Sequence, residues 1–160
     1  MDAAEAGITC RRYSEPAYAL GLAISFLTAR NPFSAYRAGQ LVSSVAGQIR
    51  RGHYLFAMRG ARIVGYAGWG LCSSELAERH LRGEYNPSFA ECRDGEVVLM
   101  MIVATSEPAA LRPIVRSIRA RYPGRSYVGK RVRPDGLRPR RVSSRAACGP
   151  VESSPRLVHF

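Results

Sequence analysis

Few side chains in this sequence have the types and spacing that chemistry requires. Three histidines stand far apart, at His53, His80 and His159. Four cysteines, Cys10, Cys72, Cys92 and Cys148, form no Cys-x-x-Cys pair and have no histidine at ligand spacing, so no metal site is expected. The thiols read as reduced, and inert or buried, in a cytosolic protein. His53 follows Arg50 and Arg51, whose charge favours the neutral imidazole and makes it a usable base. Cys72 becomes a nucleophile only with a base beside it, and reads better as a small core residue. No Ser-His-Asp order and no phosphate loop is present.

Two stretches carry further interest. VGYAGWGL at 64–71 alternates small and aromatic residues. It reads either as a strand whose glycines admit a close backbone, or as one whose small residues leave room for a ligand chain, with Trp69 as a wall. LTARNPFSAYR at 27–37 closes an apolar run with an Asn-Pro break, and Ser34 stands two residues past Pro32.

The charge is uneven. Of 24 basic residues only Lys130 is a lysine, against 12 acids, for a net +12. Between Arg112 and Arg145 lie eleven arginines, Lys130 and one acid, Asp135, or +11 in that stretch. Such a surface draws anionic partners: nucleic acid, anionic lipid or an acidic protein. A nucleic-acid-binding role is the weaker reading, because Tyr122 and Tyr127 are the sole aromatics in the basic third and no nucleic-acid motif appears.

The elements that must position these groups follow from periodicity. Residues 1–14 are polar and expected to be flexible. A helix is predicted from Pro16 to about Ala29, and a second from Gln40 to Arg50, each with apolar residues at i, i+4 spacing. YALGLAISFLTA at 18–29 is too short to span a bilayer and lacks a cleavage pattern, so neither export nor insertion is expected. Residues 53–71 read as a β-hairpin turning at Arg59-Gly60-Ala61. Ser73 or Ser74 caps a short helix to Leu81, and 83–95 is a loop. EVVLMMIVA at 96–104 reads as a strand covered on both faces. A helix from Pro108 to about Tyr122 follows, then strands at 126–133 and 139–144 around Pro134-Asp135-Gly136. The tail, 146–160, is expected to be flexible. This is one α/β (α+β) domain over 15–145, a mostly antiparallel mixed sheet flanked by helices. Its order is that of a GNAT-like acyltransferase fold lacking its first strand. VATSEPAALRP at 103–113, where a coenzyme A pyrophosphate loop would lie, has no glycine and carries Glu107.

From about Leu20 to Val142 the chain resembles the toxin-activating lysine acyltransferases, the hemolysin-activating family that acylates RTX toxins. The family's Ser-Pro-x-His turn looks like Asn31-Pro32-Phe33-Ser34. Its Gln-Tyr-led hairpin looks like His53-Tyr54 and Val64–Gly70, its aspartate strand like Val98–Thr105, and its last helix and hairpin like ALRPIVRSIRARYPG and GKRVRPDG. The resemblance implies transfer of a fatty acyl group from acyl carrier protein, the co-substrate, to an internal lysine of a protein such as an RTX-type toxin. It implies no bound cofactor; the absence of a membrane span and the cytoplasmic location are expected from the short apolar run and the thiols above. Asn31, Tyr66 and Trp69 are then candidate substrate contacts. Arg112, Arg116, Arg119, Lys130 and Arg131 are candidate contacts for the acidic carrier. Both family catalytic positions are substituted: the histidine by Ser34, and the aspartate by Met101, or by Met100 or Ile102 if the register slips. None of these is a base. The chemistry is therefore expected to be weakened, with His53, Glu96 or water replacing the base, or lost, leaving a pseudoenzyme that binds its partners.

Overall fold

The computed structural model describes residues 7–131 and 140–145; for 131 and 140–145 it describes the backbone alone. The elements are β1 (Ile8–Arg11), α1 (Pro16–Thr28), α2 (Ala38–Arg51), β2 (Tyr54–Arg59), β3 (Arg62–Cys72), α3 (Ser74–Leu81), β4 (Val97–Thr105), α4 (Leu111–Arg121), β5 (Ser126–Arg131) and β6 (Arg140–Arg145). Short 3-10 turns occupy Phe33–Ala35 and Pro108–Ala110. The architecture is α+β, a mixed sheet flanked by helices. Hydrogen-bonded strands neighbour one another in chain order, β1 to β6. β1–β2, β2–β3 and β5–β6 are antiparallel. β4–β5 is parallel, with α4 in the crossover.

β1 is a correction. Residues 8–11, expected to be flexible, pair with β2 from Ile8↔Arg59 to Arg11↔Phe56. Four residues of Ile-Thr-Cys-Arg carry too little pattern to announce a strand; the edge of β2 supplies the partner. Predicted features at 1–6, at the 134–136 turn and at 146–160, with Cys148 and His159, lie outside the described residues.

The chain divides into two compact units, residues 1–69 with 101–118, and residues 70–100 with 119–160. The core of the first gathers Ala23, Phe26 and Leu27 of α1, Leu41, Val45 and Ile49 of α2, Tyr54, Phe56 and Met58 of β2, Tyr66 of β3, and Ile102 of β4. The i, i+4 spacing on both helices puts these side chains on one face, and each large one contributes about 1.5–3 kcal/mol by leaving water. α1 begins with Pro16 at its first position, and α2 ends on Gly52 at φ 71°, a left-handed cap that glycine adopts without strain. In the second unit Val97–Met100 pair with Ser126–Gly129 and are buried on both faces, as expected. The remainder of β4, in the first unit, alternates: Ile102 and Ala104 are buried, whereas Met101, Val103 and Thr105 are partly exposed. Among the described residues, no helix is long and apolar enough to cross a membrane.

Candidate active site

The turn after α1 holds the position of greatest interest. Arg30 lies over the Phe26 ring, 3.7 Å from its centroid, and donates to the Phe26 carbonyl, tying the end of the helix down. The backbone N–H of Ser34 then donates to the Arg30 carbonyl at 2.8 Å, which closes the turn. Ser34 Oγ donates to Asn31 Oδ1 at 2.6 Å, and both residues are exposed. Asn31 and Ser34, predicted separately, thus form one polar pair. The serine's single proton is committed to Asn31, so its oxygen lone pairs remain to accept a hydrogen bond. An ammonium group could be held there, but nothing in the pair can remove its proton.

Met101 is partly exposed on β4, and its alternatives Met100 and Ile102 are 8% and 5% exposed. Whichever register is taken, the side chain has no titratable group. The proposed substitutes fare differently. His53 is buried at the junction of α2 and β2, its ring parallel to Trp69 at 6.3 Å between centroids. It belongs to the interior of the first unit, where it supports packing. Glu96 Oε1 accepts from the Ser74 N–H at 2.8 Å and from Ser74 Oγ at 3.0 Å. These bonds, the backbone one foremost, hold its carboxyl below the usual glutamate range, so it is a weaker base than an ordinary glutamate.

The reading of 64–71 as a ligand-lining strand does not hold. Tyr66 and Trp69 have no exposed surface. The room beside the glycines is filled by protein: a Cβ at Gly68 would fall 1.7 Å from Gln48 Oε1, and one at Gly70 would fall 2.8 Å from Cys92 Sγ. Gln48 was not anticipated. It stands on the apolar face of α2 between Val45 and Ile49, and a polar residue at a core position was the signal. Its Oε1 accepts from Tyr66 Oη at 2.8 Å and its Nε2 donates to Ser44 Oγ at 3.2 Å. Burial, with Tyr54 adding to it, pushes the Tyr66 phenol far up, so it acts as a hydrogen-bond donor.

The start of α4 is also more specific than its sequence suggested. Glu107, just before the Pro108–Ala110 turn, receives hydrogen bonds from Arg59 at 2.9 Å and Arg62 at 2.6 Å, the two arginines flanking the β2–β3 turn. The Arg59 bond is the main reason its carboxyl lies below the usual range. A phosphate approaching this helix end would meet a carboxylate whose arginine partners are already engaged.

Of the predicted carrier contacts, Arg112 and Arg116 are exposed one turn apart on α4 in the first unit. In the second unit Arg119 is exposed with its guanidinium 5.9 Å from the Tyr127 ring centroid, and Lys130 is exposed on β5. The Arg131 side chain lies outside the described residues. Cys72 and Cys92 are buried thiols, and burial, then the nearby Cys92, pushes the Cys72 thiol up to about 12. That agrees with a structural role for Cys72. Compared with known proteins, the chain matches no family model and no curated protein.

Proposed function

We propose that this chain is a protein-lysine acyltransferase of the toxin-activating type with weakened chemistry. It takes a fatty acyl group from acyl carrier protein and places it on an internal lysine of a protein acceptor, within a GNAT-like scaffold in the cytoplasm. The observation that carries the reading is the start of α4. With Glu107 held there by Arg59 and Arg62, the helix end favours a donor delivered on a carrier protein over one held by its pyrophosphate. The element order, now beginning with a strand and including a parallel β4–β5 pair, supports the scaffold. Exposed Arg112, Arg116, Arg119 and Lys130 supply charge of the sign an acidic carrier requires.

The rate is limited by the lysine proton. An ammonium of pKa about 10.4 must lose it before attack on a thioester, and general-base help contributes about 10²–10⁴ in rate. The Asn31–Ser34 pair positions the amine, and bulk water takes the proton. A second reading, a pseudoenzyme that binds carrier or acceptor without turnover, is favoured by the same two positions, since Ser34 and Met101 offer no base.

The test is intact mass of a lysine-containing RTX-type acceptor after incubation with the protein and acyl–acyl carrier protein, beside the double variant Ser34→His/Met101→Asp. Slow acyl addition by wild type, accelerated about 10²-fold or more in the variant, is the expected result. Addition by the variant alone identifies the pseudoenzyme. No addition by either, with a known activator competent in the same mixture, overturns the acyltransferase reading.

A further inference from the structure

Lys130 is the sole lysine of the chain, in a stretch of sequence otherwise basic through arginine. A guanidinium stays protonated at any pH a protein tolerates, so Lys130 is the one basic side chain of that stretch able to become an amine nucleophile. It is exposed, and among the described residues it forms no ion pair. β5 packs against α3, and Lys130 Nζ lies 4.0 Å from where a Cβ on Gly83 would stand. Gly83 donates its N–H to the His80 carbonyl at 2.9 Å, so the amine sits over the turn that carries His80.

The state of His80 follows from one bond. Its Nδ1 lies 3.2 Å from the Tyr85 carbonyl oxygen. A carbonyl only accepts, so the ring donates from Nδ1 and its lone pair is on Nε2. Burial, then the positive charge of Lys130, lowers the imidazole's pKa and keeps it neutral. Other charged groups around this corner have partners of their own. Arg82 makes two bonds to Glu84, Arg79 lies over the Tyr85 ring at 4.5 Å, and Glu91 accepts from Tyr85 Oη. Glu78, on α3, bears on Arg82. A neutral imidazole, whose Nε2 has no hydrogen-bond partner among the described residues, and a solvent-exposed amine therefore share one corner of the second unit.

We propose that Lys130 is a self-acylation site, its amine deprotonated by His80 and acylated by an acyl thioester. His80 Nε2 takes one proton from the ammonium. The amine then attacks the carbonyl carbon, the C–N bond forms and the C–S bond breaks. The nitrogen's second proton leaves with the thiolate as thiol, and His80 releases its proton to solvent. The donor class rests on the function proposed above, but the site needs neither carrier protein nor acceptor.

The experiment uses octanoyl-N-acetylcysteamine as donor, so a failure here leaves the acceptor assay untouched, and the reverse. The full-length protein is expected to gain one hydroxylamine-resistant octanoyl mass, mapped to Lys130 and absent in Lys130→Arg. Its rate should exceed that of Nα-acetyl-lysine amide at the same pH by at least about tenfold. His80→Gln, checked for an unchanged urea midpoint, should fall to the reference rate and lose the inflection below neutral pH. An adduct that persists in Lys130→Arg, a rate near the reference, or an unchanged His80→Gln profile each overturns the proposal.

Discussion

At the scale of single residues, the best-determined feature of the first unit is a buried amide. Gln48 spends its oxygen on Tyr66 and its nitrogen on Ser44, and Gly68 leaves the space that the amide fills. Tyr66→Phe keeps the packing but leaves Gln48 Oε1 buried without its donor. The expected loss is about 1–3 kcal/mol, read as a lower urea midpoint with an unchanged slope. Gly68→Ala should cost more, because its Cβ falls 1.7 Å from the same oxygen and the pair must part. If both variants unfold with wild type, the amide does not organise this core. Part of this was legible in sequence. A glutamine among Leu41, Val45 and Ile49 is visibly out of pattern, but its partner lies 18 positions away on another element. The glycines of 64–71 were read as either close packing or ligand room, and the side chains filling them decide for packing.

At the scale of elements, α3 shows how a short helix is held at its first turn. Ser73 Oγ accepts from the Leu76 N–H at 3.3 Å, and the Glu96 carboxylate, contributed by the residue just before β4, accepts from the Ser74 N–H. Ser73→Ala should lose about 1 kcal/mol, and Ser73→Asp should retain it, in thermal or urea unfolding. Faster amide exchange confined to α3 in the alanine variant would locate the loss; equal stability of all three proteins would show that Glu96 alone caps the helix. The serine cap was legible because its offset from the helix is local. The glutamate was not: it lies 22 residues from Ser74, and nothing local marks it as a cap. β1 was missed for the same reason, since an edge strand is made by its partner.

At the scale of the whole molecule, the shifted titrations share a sign on the acid side. Glu91, Glu96 and Glu107 are lowered chiefly by bonds from the Ser88 N–H, the Ser74 N–H and Arg59, and His80 is lowered by burial. Each group binds fewer protons folded than unfolded. Its contribution is complete above the unfolded values, about 4.3 for glutamate and 6.5 for histidine, and is lost as pH falls through the lower folded ones. Cys72 is the reverse case: its contribution is complete below about 8.5 and is lost as pH rises towards about 12. Urea midpoints should therefore form a plateau between roughly pH 7 and 8, with the acid slope shallower in Glu107→Gln. An identical slope in that variant would remove the Arg59–Glu107–Arg62 group from the account. The sequence by itself determined the order of helices and strands after β1, the basic third and the absence of a glycine loop before α4. These depend on side-chain periodicity and composition over a few neighbouring residues. Only the tertiary structure decided that His53 and Trp69 are interior, that Glu107 is held by two arginines, that Ser34 bonds Asn31, and that Lys130 lies over the Gly83 turn that follows His80. Those facts depend on which chain-distant groups share one space, or on a rotamer chosen within it, and local pattern carries no record of either.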